Sequence, residues 1–399
     1  MNAVTPNALA VLADRLGARA ADVPPPVYDS RIDLAGEGGD PALDLYVKHQ
    51  ALMRCYQARY VLLPSEAPAG GLLGPMQRHY DPGRLRALDA VRPALEAELI
   101  APLVDETTGA EAADYIEAML AEIRGAGENP FTAWLATTDH RDDHYRNFLV
   151  QSSPDLLAEA SASALGIVGE FGEPQSALFR ILIDEFGYGS YPKKHSILYR
   201  AAMRGFGLDD EYNGYWPLWD TEALRLHNVI HWLFQNPRNL FRQVGFLLYA
   251  EAAYQRSTQS HFRHLSRFNP TVDARYFGEH AHIDLHHSRM IIDEVVGPLV
   301  AKFGEAVGAE VIIGAELTRN AFAEAGDHLL AVSRAFEAAD SVTWGVTGDV
   351  RSPLGRPVTP SSDLKALAGA RVQVGAIGVL HDARDLARFP PATIGRAPA

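Results

Sequence analysis

The sequence predicts an all-α protein, and three observations support that fold class. Seven long stretches place apolar side chains at helical spacing, and the connections between them are short. Hydrophobic residues make up 47% of the chain, which is enough to fill the core of a helical bundle. Past residue 341 glycine and proline become frequent, and only short β-prone pieces occur. The predicted helices span residues 142–167, 174–186, 195–205, 221–233, 238–258, 273–304 and 310–338.

The same patterns divide the chain into three predicted parts. Residues 1–125 are expected to form an N-terminal helical subdomain, because helical runs near 42–62 and 82–103 alternate with proline- and glycine-rich breaks. Residues 126–340 are expected to form the bundle, and residues 341–399 an irregular C-terminal segment. We also expect a homodimer that forms through the N-terminal helices.

Composition narrows the classes of partner. A net charge of −14 argues against nucleic acid, whose binding proteins usually present a basic face. Cys55 is the only cysteine, so the chain has no internal disulfide framework, and this fits a reducing cytoplasm. The apolar stretches are too short for a membrane span, and we find no targeting signal. These features favour a cytoplasmic protein with a small-molecule partner.

The most informative segment is a polar stripe on the helix predicted over 273–304. His280, Asp284 and His287 lie at positions i, i+4 and i+7, within roughly 60° of one another at about 100° per residue. Apolar residues such as Phe277 and Val295 continue the same helical face, so these polar groups occupy a face that should be buried. Burial without partners would be costly, and a shared metal ion would relieve that cost. Histidine and carboxylate together suit iron, manganese or zinc.

Further candidate ligands come from other predicted helices. Glu251 interrupts an apolar face in the same way, and a carboxylate that faces a core needs a partner. Glu185 and His195 flank a glycine- and proline-containing run that no regular helix should cross, so they could converge across a kink. Glu159 lies among small residues that would let a neighbouring helix or a ligand approach closely.

The order and spacing of these groups resemble those of the heme-oxygenase-like diiron oxidases and oxygenases, also called iron-containing redox enzymes. In that family a heme-oxygenase-type bundle supplies three glutamates and a histidine, and a last helix supplies His-x3-Asp-x2-His. Here the last motif reads His280-x3-Asp284-x2-His287, and Asp184-Glu185 followed by His195 is also similar. The resemblance covers residues 140–300. It implies a heme-oxygenase-like bundle whose metal ligands are Glu159, Glu185, His195, Glu251, His280, Asp284 and His287.

The resemblance also implies a cofactor and a reaction. Two Fe(II) ions per chain would react with O2 as co-substrate, and an external electron donor would be needed. The expected reaction is oxygenation of an amine nitrogen in a biosynthetic pathway. Desaturation or oxidative C–C cleavage of an amino or fatty acid on the same centre is the alternative, and spacing does not separate the two.

Simpler interpretations exist for each candidate ligand. The stripe could be a His/Asp cluster on a surface helix, or His282 and His286 could form the buried pair instead. Glu251 could pair with an arginine such as Arg242 or Arg180. Glu185 and His195 could lie in an exposed turn, and Glu159 could be an ordinary surface charge, with Glu170 or Glu173 as the first ligand.

Other functions were weighed as well. A ferritin-like protein should carry two Glu-x-x-His motifs, and only Glu279-x-x-His282 fits. The same bundle without a diiron centre could bind heme, act as a cofactor-free oxidase, or act as a thiamin-salvage hydrolase. That hydrolase needs a cysteine inside the bundle, and Cys55 lies outside it. A non-catalytic helical binding module is the last alternative.

Overall fold

The computed structural model describes residues 41–63, 71–213, 215, 219–338 and four short strands after residue 343. Fourteen α-helices lie within the described residues: α1 Pro41–Gln57, α2 Leu73–His79, α3 Pro82–Leu99, α4 Ala112–Gly125, α5 Pro130–Leu135, α6 Arg141–Leu156, α7 Ser161–Gly166, α8 Glu173–Glu185, α9 His195–Gly205, α10 Thr221–Gln235, α11 Leu240–Phe268, α12 Arg275–Met290, α13 Gly297–Phe303 and α14 Glu305–Ala338. The fold is all-α, as the sequence predicts. Among the described helices, none combines the length and the apolar composition that crossing a lipid bilayer requires.

The bundle is organised around its two longest helices. Helix α11 packs against both α12 and α14, while α10 packs against α1, α14 and α7. The first described helix is therefore in contact with the bundle itself. The interface of α11 with α14 is unusually close, because Gly245 and Gly314 each face backbone atoms of the opposite helix. Val244 and Leu248 are fully buried beside this contact.

Two predicted helices are interrupted at positions where no break was predicted. The helix expected over 142–167 ends at Leu156, because Pro154 weakens its last turn and a turn with Ala160 in the left-handed region (φ 63°) follows. The helix expected over 273–304 contains a π-helical segment, Ile291–Val296, between α12 and α13. π-Helical segments inside helices are frequent at functional sites.

The C-terminal part contains short strands, in agreement with its β-prone sequence. Strands β1 (Trp344–Thr347) and β4 (Thr393–Arg396) pair antiparallel, and β2 (Val350–Arg351) pairs antiparallel with β3 (Pro357–Val358). The other residues predicted to form the irregular segment 341–399, and residues 1–40 of the predicted N-terminal subdomain, lie outside the described residues. The three predicted domain boundaries stay a prediction.

Candidate metal centre

The polar stripe on α12 is buried, as its apolar companions predict. His280 is 4% exposed, and Asp284 and His287 are fully buried. His282 and His286 point to solvent, so the alternative pair on this helix is not the buried one. Glu279 and His282 are both exposed, which leaves the Glu-x-x-His motif of a ferritin-like site outside the core.

Helices α8 and α9 supply Glu185 and His195 across a sharp loop. Gly187 and Gly189 have positive φ angles of 66° and 76°, and Tyr188 also lies in the left-handed region. A Cβ at Gly187 would lie 2.4 Å from the backbone nitrogen of Lys194, so only glycine fits this close approach. The loop brings His195 Nδ1 to 2.8 Å from Glu185 Oε2, and both residues are buried. The predicted convergence across a kink is therefore present.

Glu159 reaches the site from the turn that follows α6. Its Oε1 accepts a hydrogen bond from the Tyr276 hydroxyl at 2.7 Å and lies 3.3 Å from His280 Nε2. Ala160 in the left-handed region is a strained position for a residue other than glycine, and strain of this kind clusters at functional sites. The break after Leu156 thus redirects Glu159 toward the bundle interior.

Glu251 meets the stripe from α11. Its Oε2 lies 3.2 Å from His287 Nδ1. The arginine partners considered from the sequence are engaged elsewhere, since Arg242 donates to Glu310 and Glu106 and Arg180 pairs with Glu294. Glu251 is therefore a member of the buried cluster and not half of a core arginine pair.

The seven predicted ligands lie in two adjoining groups. Within each group one donor atom per residue lies within 4.8 Å of all the others: Glu159, Glu185, His195 and His280 in the first, and Glu251, Asp284 and His287 in the second. His280 Nδ1 lies 3.1 Å from Asp284 Oδ1 and so joins the two groups. Each group has the donor types and the number of donors that one transition-metal ion requires.

Several donor atoms in the first group converge without forming hydrogen bonds. Glu185 Oε2 and His195 Nδ1 are buried and have no hydrogen-bond partner, although they are 2.8 Å apart, and His280 Nε2 and Glu159 Oε2 are also unpaired. Asp284 Oδ2 is unpaired in the second group. Buried polar atoms without partners are costly. A metal ion held between them would satisfy these atoms, so the residues fit the metal that the donor set suggests.

The charges of the cluster favour cations. Burial alone would raise the pKa of Glu185, but the imidazoles of His195 and His280 outweigh it and lower that pKa to about 2. Burial would lower the pKa of His287, but Glu251 outweighs it and raises that pKa to about 9. The carboxylates therefore draw protons onto the imidazoles, and divalent cations would displace those protons. Among the described residues no lysine or arginine forms an ion pair with the four carboxylates.

Asp184 contacts a predicted ligand, although it was not itself among the predicted ligands. Its Oδ2 lies 2.9 Å from His287 Nε2, while His287 Nδ1 faces Glu251. A carboxylate that accepts the second ring N–H of a metal-binding histidine fixes the ring orientation and raises its basicity. The only signal in the sequence is that Asp184 precedes Glu185 at the end of α8. Tyr276, which holds Glu159, was likewise not identified.

The second buried pair of histidines belongs to none of the groups of possible metal donors among the described residues. His227 and His231 are fully buried on α10, and burial lowers their pKa values to about 4 and about 3. His227 Nε2 contacts the backbone oxygen of Gln151, and His231 Nδ1 contacts the Tyr60 hydroxyl. Both therefore serve as neutral core residues that hydrogen bond to neighbouring elements.

A third group of possible metal donors consists of Asp220, Glu222 and His328. Asp220 already accepts a hydrogen bond from the backbone nitrogen of Ala223 at 2.8 Å and so caps α10. His328 Nε2 lies 3.2 Å from Glu222 and 3.5 Å from Asp220. We interpret this group as an ion pair that joins α14 to the start of α10.

A small cavity lies directly beside the ligand groups. It has a volume of about 90 Å³, and its walls include Glu159, Glu185, Glu251 and Asp284 together with apolar residues. This space lets a small molecule approach the candidate metal ligands.

Comparison with known proteins agrees with this geometry. Residues 146–323 match the family model described as iron-containing redox enzyme. The chain is also 33% identical over 304 residues to a protein named nitrosourea synthase from Streptomyces achromogenes subsp. streptozoticus. That alignment covers 73% of this chain and 61% of the relative, so the chain spans about three fifths of the relative's length.

Proposed function

We propose that this chain, which belongs to the iron-containing redox enzyme family, is a non-heme diiron enzyme that uses O2 to oxygenate an amine nitrogen of a small molecule. The observation that carries the proposal is the grouping of seven donors, five buried and two half-buried, into two adjoining sets. Four carboxylates would balance the charge of two divalent ions when the three imidazoles are neutral. A single catalytic zinc ion would need only one such set.

Nitrogen oxygenation is supported by the relative. The name nitrosourea synthase denotes a product with an oxidised nitrogen, and that protein aligns with 73% of this chain. Desaturation and C–C cleavage could use the same ligands, so the choice rests on this relative alone. The competing hydrolase is disfavoured, since burial raises the pKa of the Cys55 thiol to about 12 and Cys55 does not line the cavity beside the ligand groups.

The chain's own residues would have distinct tasks. Two bound Fe(II) ions would supply the electrons and the open coordination positions for reduction of O2. Asp184 keeps the proton on His287 Nε2, so that Nδ1 is the nitrogen presented to a metal. Tyr276 orients Glu159 through its 2.7 Å hydrogen bond. The surrounding core excludes bulk water, because Leu178, Ile181 and Leu247 line the cavity beside the ligands.

The proposal includes partners that the sequence led us to expect. A catalytic cycle that starts from Fe(II) and reduces O2 needs electrons from an external donor. We also propose a homodimer that forms through the N-terminal helices.

Anaerobic titration with Fe(II), followed by exposure to O2, tests the proposal. Wild type should bind about two Fe(II) per chain and show a transient visible absorption with O2. His286→Ala is the matched control, because His286 is the exposed neighbour of His287 and should leave both results unchanged. Saturation at one metal, or a preference for zinc without any reaction with O2, would contradict the diiron assignment. With an amine substrate, gain of an oxygen atom supports N-oxygenation, whereas loss of two hydrogens indicates desaturation.

A further inference from the structure

A second cavity adjoins the candidate metal centre. It has a volume of about 250 Å³ and shares part of its wall with the smaller cavity beside the ligands. The residues that line both cavities are Asp155, Leu156, Ile230, Tyr254 and Phe322. Most of the remaining wall is apolar or aromatic, with rings such as Phe131, Phe148 and Phe277. The cavity could hold a small molecule with one end directed at the metal ligands.

Asp155 stands at the boundary of the two cavities without a partner. In the described part of the chain, no hydrogen bond or ion pair involves its carboxylate, although its backbone oxygen accepts from Ala158. Burial, together with the negative charges of Glu159 and Glu185, raises the pKa of Asp155 to about 7. Asp155 also lies in the last turn of α6, where the helix dipole disfavours a negative charge. Burial, the neighbouring negative charges and the helix dipole thus all oppose ionisation of Asp155, and no described residue neutralises its charge.

The other acid on the wall of this cavity is fully engaged. Asp220 caps α10 through Ala223 and lies near His328. Asp220 therefore has a structural role, whereas the Asp155 carboxylate has none among the described residues. A carboxylate that destabilises the fold and faces a cavity is typical of a ligand-binding residue.

We propose that Asp155 binds the cationic nitrogen of the substrate, an ammonium or guanidinium group, while the rest of the substrate occupies the aromatic cavity. This inference rests on the proposed function and adds the charge of the substrate and the residue that recognises it. The position of Asp155 between the cavities sets the nitrogen next to the metal ligands, and the Asp155 carboxylate can accept the proton that this nitrogen must lose before it is oxygenated. The aromatic walls add apolar and cation–π contacts that a neutral polar molecule could not use equally well.

Calorimetric titration with two small probes tests the proposal at pH 8, where Asp155 is ionised. The probes are butylammonium and its neutral analogue 1-butanol, added anaerobically to protein with and without Fe(II). Wild type should bind butylammonium more tightly than 1-butanol. Asp155→Asn should weaken butylammonium binding at least about tenfold and leave 1-butanol binding unchanged, because a charged hydrogen bond is lost. The control Asp220→Asn removes the same charge from the same cavity, retains a side chain that can cap α10, and should leave butylammonium binding unchanged.

Two further readouts make the outcome specific. The Fe(II) stoichiometry of Asp155→Asn should equal that of wild type, so failure of the diiron assignment is recognised separately from failure at Asp155. The melting temperature of Asp155→Asn without probe should match or exceed that of wild type, because a half-buried charge without a partner has been removed. Unchanged butylammonium binding in Asp155→Asn, equal weakening by Asp220→Asn, or a lower melting temperature of Asp155→Asn would overturn the proposal.

Discussion

Substitution of Gly245 tests how the bundle positions the second ligand group. Helices α11 and α14 approach so closely that a Cβ at Gly245 would lie 2.0 Å from the backbone oxygen of Val311. A Cβ at Gly314 would meet the Arg242 oxygen at 1.9 Å, so the contact is close from both sides. Glu251 lies on α11 six residues after Gly245, roughly 9 Å along the helix axis.

The clash can be converted into an expected cost. Ordinary contact for a Cβ begins at 3.4 Å, so alanine at 245 would fall short by about 1.4 Å. The atoms it meets belong to the backbone and cannot rotate away, so the two helices must separate along the contact. Overpacking of a close-packed core costs about 1–3 kcal/mol of stability. Because no flexible side chain can move aside, we expect Gly245→Ala to lower the free energy of unfolding by about 3 kcal/mol. Glu251 would move with α11, so the second Fe(II) should bind more weakly.

Urea unfolding and Fe(II) titration measure the two effects. Gly326→Ala is the matched control: it lies on α14, is exposed, and a Cβ there meets nothing within 4 Å. Because alanine is the better helix former, this control should gain about 0.5–1 kcal/mol and keep both irons. If Gly245→Ala were as stable as wild type, or Gly326→Ala equally destabilised, the close helix contact described here would be refuted.

Three other predictions concern single side chains. Asp184→Asn should weaken one of the two Fe(II) sites about 10–100-fold in anaerobic titration, because His287 loses the carboxylate that orients it, while Asp293→Asn on the surface should change neither site. His195→Ala and His287→Ala should each retain one iron, and the double variant none; loss of both irons in each single variant would show that the groups are not separable. Burial lowers the pKa of His261 from 6.5 to about 3, so the neutral ring stabilises the fold above pH 6.5 and this stability is lost as the pH falls toward 3. Between pH 7 and pH 5, the free energy of unfolding measured with urea should therefore fall by about 2 kcal/mol less in His261→Phe than in wild type. An unchanged pH dependence in His261→Phe would contradict this sign.

The sequence revealed the parts of the site that depend on local spacing. His280, Asp284 and His287 lie on successive turns of one helix. Their burial could be predicted from the apolar residues on the same helical face. Gly187 and Gly189 likewise predicted a kink within a short segment. The all-α class follows for the same reason, because helical periodicity is a local property of the chain.

Contacts between distant segments could not be predicted from the sequence. Asp184 meets His287 across 103 positions of sequence, and nothing near either residue indicates the pairing. The break after Leu156 was missed because the residues that follow it are helix-forming, although Pro154 precedes it, and only the surrounding structure holds Ala160 in the left-handed region. Among the described residues no cation from the packed helices faces Asp155, and a one-dimensional pattern does not contain this information.

We propose that seven side chains hold two iron ions. Anomalous X-ray diffraction at the iron edge, from crystals grown anaerobically with Fe(II), tests it most directly. We predict two peaks, one among Glu159, Glu185, His195 and His280 and one among Glu251, Asp284 and His287. A single peak, or a peak at Asp220, Glu222 and His328 in place of these, would contradict the account.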